Sequence, residues 1–99
     1  MSGTGHCARR VEIAGRVQGV SFRVATEAQA RRLGVVGWVA NRPDGAVIAH
    51  FEGPSPAVEQ MLAWCHEGPS RARVDDVRVV EVPPTGASAF EIRARPDGA

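Results

Sequence analysis

One change of period constrains this chain more than any other feature. Val11-Glu12-Ile13 alternates apolar and polar side chains as a strand does, whereas from Phe22 onward apolar groups recur at helical spacing. Gly15 to Ser21 is therefore a strand-to-helix turn, inside the stretch A-G-R-V-Q-G-V-S-F-R that runs from Ala14 to Arg23. Gly15 and Gly19 bracket the turn. Glycine there opens backbone conformations closed to other residues and removes the Cβ atoms that would hold a ligand away from the peptide N–H groups. Such a loop, feeding a helix N-terminus, offers unpaired donors and the positive end of the helix dipole, which favour a phosphate or carboxylate. Arg23, in the first helical turn, adds a full charge.

Gly-rich turns of this kind are common, and an arginine beside one is often only solvated. The stretch has neither the spaced glycines of a dinucleotide fingerprint nor the G-K-[ST] of a P-loop, so it does not define a phosphate site by itself. Composition narrows the classes. The 99 residues suffice for one domain, expected to span 1–99 with flexible ends at about 1–6 and 95–99. All 12 basic residues are Arg, which reads as the mark of a GC-rich coding genome, and 11 acidic residues are interleaved with them for a net charge of +1. A nucleic-acid binder shows a basic excess or stripe instead, so no nucleic-acid partner is expected. The N-terminal Met-Ser-Gly-Thr-Gly-His has no basic start and no apolar run, which points to a cytoplasmic protein without a membrane partner. Cys7 and Cys65 lack metal-ligand spacing and read as free thiols with no assigned role.

Taken in order, the periodicities predict a strand over Cys7–Ala14 with Val11 and Ile13 facing the core, then a helix from Phe22 to about Leu33. Its buried stripe is expected at Phe22, Ala25, Ala28 or Gln29, and Leu33, with Glu27, Arg31 and Arg32 turned outward, Ser21 as N-cap and Gly34 as C-terminal cap. A second strand covers Val35–Asn41. Arg42-Pro43-Asp44-Gly45 then makes a tight turn in which Asp-Gly supplies the positive-φ positions, so the next strand, Ala46–Glu52, is antiparallel. Val47, Ala49 and Phe51 are expected inward, and Ile48, His50 and Glu52 outward, with His50 a solvated strand residue. Ser55 as N-cap and Pro56 at the first helical position open a helix with Val58, Met61, Leu62 and Cys65 buried, closed by Gly68-Pro69. A strand over about Val74–Val82 is broken by Pro83-Pro84 and Thr85-Gly86. A last short strand near Ala89–Ala94 puts Phe90 and Ile92 inward.

The order β-α-β-β-α-β with one short extra strand predicts an α+β, ferredoxin-like sandwich, an antiparallel sheet with both helices on one face. In that topology the first two strands run parallel with the third between them, so the Gly15–Ser21 loop and Asn41 meet at one end of the sheet. The two parallel strands stand roughly 9.5 Å apart, room for one tetrahedral anion and a water.

Two motifs held together by that topology now say more than either alone. G-R-V-Q-G-V-S-F-R, Gly15 to Arg23, resembles the phosphate-loop signature of the acylphosphatase family, and G-W-V-A-N-R-P-D-G, Gly37 to Gly45, resembles its second signature. The fit is ungapped and the resemblance covers about Val11 to Arg93. It implies a small metal-free enzyme that hydrolyses the carboxyl–phosphate bond of small-molecule acyl phosphates; no cofactor is expected, a monomer is expected, and inorganic phosphate, the group that product and substrate share, is expected to inhibit. It further implies that Arg23 binds the phosphate and Asn41 orients the attacking water. The loop backbone, Gly15, Arg16, Val17, Gln18, Gly19 and Val20, makes the cradle, its N–H groups from about Val17 to Val20. Ser21 falls at a position that the family fills variably, so its hydroxyl is expected to cap the helix and not to act as nucleophile. Trp38 and Phe22 read as core aromatics.

The chemistry agrees with these residue types. A carboxylate leaving group, with a conjugate acid of pKa about 4, needs no general acid, and the sequence supplies none near the loop. A phosphomonoesterase would need a metal pair or a Cys or His nucleophile for its alkoxide leaving group. Two other classes compete. A non-catalytic anion or RNA binder on the same frame would need aromatics on the exposed sheet face, where Arg, Glu, His and Ile predominate. A domain of a larger assembly, like the acylphosphatase-like domains that begin some carbamoyl-transfer maturation proteins, is disfavoured by a 99-residue chain with no downstream linker.

Overall fold

The computed structural model describes residues 5–96. Five strands and two helices follow in the order β1 (His6–Arg16), α1 (Phe22–Leu33), β2 (Val36–Asn41), β3 (Val47–Pro54), α2 (Ser55–Cys65), β4 (Arg73–Val82) and β5 (Phe90–Arg93). The sheet order is β4-β1-β3-β2-β5. β3 pairs antiparallel with both β1 and β2, so those two run parallel on either side of it, as the connectivity predicts. One expectation is corrected here. The sheet is mixed, because β5 lies along the outer edge of β2 and runs parallel to it, Gly37 to Phe90 through Ala40 to Arg93. The fold is nonetheless ferredoxin-like α+β. Both helices cover one sheet face, where Val11, Ile13, Val39, Val47, Ala49, Phe51 and Phe90 meet Phe22, Ala30, Val58, Met61 and Cys65 in a single core. Among the described residues no helix is long and apolar enough to cross a membrane.

The helices differ from expectation in phase and in capping. The buried stripe of α1 is Phe22, Thr26 and Ala30, with Leu33 partly buried, while Ala28 is exposed. Thr26 misleads an apolar count: it is fully buried because its hydroxyl donates to the Phe22 carbonyl at 2.8 Å and so carries no unmet donor into the core. Ser21 does stand at the N-cap position, but with φ 62° its side chain makes no capping bond. An N-cap hydroxyl reaches the helical N–H groups from extended backbone, and a left-handed residue turns it away. Pro54, not Ser55, precedes α2; Ser55 is its first residue, and its hydroxyl donates to the Gly5 carbonyl at 2.9 Å. Of the ends expected to be flexible, 1–4 and 97–99 lie outside the described residues, whereas His6 already opens β1. Gly34 caps α1 as expected.

The larger correction concerns the face of β3 away from the helices. Ile48, His50 and Glu52 are buried there, not solvated, with His50 only 2% and Glu52 4% exposed. β3 is the central strand, and the open face above it is roofed by its neighbours' side chains and by the segment before β5. Trp38 on β2 stacks on the His50 ring, 6.2 Å between centroids, and the Arg10 and Arg93 guanidiniums lie over Trp38 at 5.1 and 4.9 Å. His50 Nε2 donates to Glu52 at 2.6 Å, and the same carboxylate accepts from the Gly86 N–H at 3.1 Å and from the Thr85 hydroxyl. Ile92, expected inward, is about a third exposed, because β5 is an edge strand.

Candidate active site

The turn from β1 into α1 is built on two side chains that point inward. Val17 and Val20 are buried in the main core, which anchors the loop and presents the backbone between them outward. Gly19 (φ 74°) has open space where a Cβ would stand, so its part is conformational: it lets the loop reverse. Gly15 serves another purpose than ligand access. It lies within β1 at the irregularity in the β1–β4 pairing, and a Cβ there would fall 2.1 Å from the Arg73 carbonyl oxygen. Ser21 is the only non-glycine residue with positive φ among the described residues. Left-handed backbone costs such a residue about 1–2 kcal/mol, and here it delivers the chain into α1 within one residue.

The N–H groups of Val17 to Ser21 meet no protein acceptor among the described residues, and neither do those of Phe22 to Val24 at the start of α1, whose first internal bond is Ala25 N–H to Ser21 O at 3.0 Å. Of these residues all but Val20 line, together with Asn41, a cavity of about 390 Å³: Val17, Gln18, Gly19, Ser21, Phe22, Arg23, Val24 and Asn41. Of the residues predicted for the site, Arg23, Asn41, Val17, Gln18 and Gly19 thus converge on one space. Gly15, Arg16 and Val20 do not line it, since two belong to β1 and the third is core.

Arg23 is held from an unexpected quarter. One of its terminal nitrogens donates to the Arg93 carbonyl at the end of β5, 3.0 Å away, leaving the rest of the guanidinium fork toward the cavity. Asn41, the last residue of β2, makes no side-chain hydrogen bond to a protein group among the described residues, so its amide is available to a ligand. Arg42 next to it is occupied. It bonds Asp44 at 2.8 and 2.9 Å and Glu12 at 2.5 Å, and those hydrogen bonds raise its pKa while they draw Asp44 down to about 2 and Glu12 below its usual range. The turn beyond it also differs from expectation: Gly45 alone has positive φ, and Asp44 works through its carboxylate, which accepts the Ala46 N–H at 3.1 Å. The free positive charge at the cavity is therefore that of Arg23. Burial pushes the Cys65 thiol up to about 12, deep in the core and unsuited to nucleophilic chemistry.

Three contributors escaped the sequence reading. The Arg93 carbonyl was invisible because backbone groups carry no sequence signal. The Gln18 side chain, which bonds the β2–β3 turn, stood in the motif without a partner to point to. Val24 carries no motif signal, yet it is 61% exposed at the cavity rim. An apolar residue beside the arginine, off the helix's buried phase, was the available clue.

A ferredoxin-like sheet with a cavity at the carboxyl ends of β1 and β2, lined by a guanidinium, a carboxamide and residues whose N–H groups have no protein acceptor, defines a small phosphate-handling class of protein. The comparisons narrow it. The family model for acylphosphatases matches residues 9–92. An acylphosphatase of Rubrobacter xylanophilus is 56% identical over 85 residues, covering 85% of this chain and 77% of that protein. Among solved structures, an acylphosphatase from Coxiella burnetii superposes with a TM-score of 0.87 at 30% identity, over 94% of this chain and 100% of that one. One from Bacillus subtilis gives 0.85 at 34% identity, over 87% and 97%. The chain belongs to the acylphosphatase family, and it is an enzyme of the class that acts on small acyl phosphates.

Proposed function

We propose that the chain hydrolyses acyl phosphates to a carboxylate and inorganic phosphate by direct attack of water, with Arg23 and the loop N–H groups binding the phosphoryl group and Asn41 orienting the nucleophile. The observation that carries this reading is the convergence of unengaged N–H donors, a guanidinium and an unoccupied carboxamide on one cavity. The water oxygen forms its bond to phosphorus as the bond to the acyl oxygen breaks, the carboxylate departs with the electron pair, and the water's proton passes to a phosphate oxygen. A loose phosphoryl-transfer transition state gathers charge on the equatorial oxygens, which fixed N–H dipoles and a planar guanidinium stabilise. Asn41 has no usable pKa and cannot be a base, but its carbonyl can accept a hydrogen bond from the water and aim its lone pair. Every group invoked comes from one chain, so the reading needs no partner subunit.

The alternative of an RNA binder finds little support on the open sheet face. Its aromatic residue, Trp38, is 8% exposed and covered by Arg10 and Arg93, which leaves no stacking platform.

Asn41→Ala is the deciding variant. Turnover of benzoyl phosphate is expected to fall by a factor on the order of 10²–10³, while the calorimetric Kd for inorganic phosphate stays within about threefold, because the term lost is present only in the transition state. Phosphate should inhibit the parent competitively. Joint loss of turnover and phosphate affinity at unchanged thermal stability would make Asn41 a phosphate ligand, and surviving turnover would remove it from the mechanism.

A further inference from the structure

We infer that Gln18 is a positioning residue that sets the distance between the phosphate cradle and Asn41, and this rests on the reading of Asn41 given above. The geometry is specific. Gln18 Nε2 donates to the carbonyl oxygens of Arg42 at 2.8 Å and Ala46 at 3.0 Å, so both of its protons are spent on the β2–β3 turn. That also orients the amide, since a reversed group would set its oxygen against two carbonyls.

The two acceptors are the ones that close the turn next to Asn41. Ala46 O already accepts the Arg42 N–H at 2.8 Å, and Arg42 O accepts the Gly45 N–H at 3.0 Å. With Gln18 added, each carbonyl accepts two hydrogen bonds and has no lone pair left for water. The peptide between Asn41 and Arg42 is held through the Arg42 N–H, and the next peptide through the Arg42 carbonyl. Asn41 is thus gripped on its C-terminal side by a side chain that belongs to the cradle loop. This is a tie between segments 24 and 28 residues apart in sequence, partly buried, and no other side-chain hydrogen bond joins loop 17–21 to the β2–β3 turn among the described residues. Gln18 and Asn41 also line a second, shallower cavity of about 260 Å³ together with Arg42, Pro43, Ala94 and Arg95. Gln18 and Asn41 therefore border both the cradle cavity and that space.

Gln18→Met keeps length and removes the donors. It is expected to lower kcat for benzoyl phosphate by about tenfold or more, the scale of an ångström-level misplacement of a reacting group, with the calorimetric Kd for phosphate within about threefold. Added to Asn41→Ala, the same substitution should cost less than a further twofold, because it acts through Asn41. A parent-like kcat in Gln18→Met beside an inactive Asn41→Ala would overturn the tie alone, and so would independent, multiplicative losses in the double variant. An Asn41→Ala enzyme with intact turnover would overturn the reading of Asn41 and this proposal with it. If Gln18→Met does not fold, the parent supplies the test: both Gln18 side-chain amide protons should exchange slowly with solvent by nitrogen-resolved NMR, and exchange at the rate of a free carboxamide would overturn the proposal.

Discussion

At the scale of single residues, the site depends on which groups are already spoken for. Arg23 keeps most of its fork free because a single donor goes to the Arg93 carbonyl, while Arg42, the residue directly after Asn41, is consumed by Glu12 and Asp44. A lysine at position 23 would retain charge but could not bond that carbonyl and meet two phosphate oxygens in one plane. Arg23→Lys is accordingly expected to lose about 100-fold or more in kcat/KM for benzoyl phosphate, and Arg42→Ala less than about tenfold; steady-state kinetics of the pair check both. Ser21 offers a sharper contrast. Its hydroxyl caps nothing and its φ of 62° suits glycine, so Ser21→Gly should keep turnover within about threefold and shift folding free energy by less than about 1 kcal/mol. An inactive but folded Ser21→Gly would mean that the hydroxyl takes part in the reaction.

At the scale of elements, β1 and β3 do more than carry the loop. Gly15 lets β4 close onto β1 just before the cradle, and a methyl at 2.1 Å from the Arg73 carbonyl cannot be absorbed by a side-chain rotation because the obstacle is backbone. Gly15→Ala should cost roughly 2–4 kcal/mol, seen in chemical denaturation, and should impair hydrolysis through the displaced loop. On β3 the Glu52 carboxylate ties the segment before β5 to the central strand through Thr85 and Gly86 and also meets His50. Glu52 lies five residues along β3 from Val47, the strand's cradle end, about 16 Å away. Glu52→Gln should therefore lower stability by about 1–3 kcal/mol and leave KM for benzoyl phosphate within about twofold.

For the whole molecule, the same buried carboxylate joins Asp44 and Glu12 in making stability respond to acid. Burial raises the Glu52 pKa, but hydrogen bonds from Thr85, His50 and Gly86 outweigh burial and hold it at about 2 against an ordinary 4.5. The unfolded chain therefore takes up this proton first, so the associated stability is present above about pH 4.5 and is lost as pH falls from there toward about 2. Tm should decline through that window, and Glu52→Gln should decline less steeply. Hydrolysis itself should be indifferent to EDTA, since no cluster of three His, Cys, Asp or Glu side chains exists among the described residues and the leaving group needs no Lewis acid; restoration of a chelated enzyme by a divalent ion would contradict this. The sequence alone determined the element order, the pairing of β1, β2 and β3, and the meeting of the loop with Asn41. Each of these follows from local periodicity, turn chemistry and a connectivity that few topologies satisfy. What only the tertiary structure decided was the second side of each element. The parallel docking of β5, the burial of His50 and Glu52 on a face that alternation marks as wet, the hold on Arg23 and the tie from Gln18 all depend on atoms distant in sequence. Most of those atoms are backbone carbonyls and N–H groups, which every residue carries alike, so no pattern of side chains could have pointed to them.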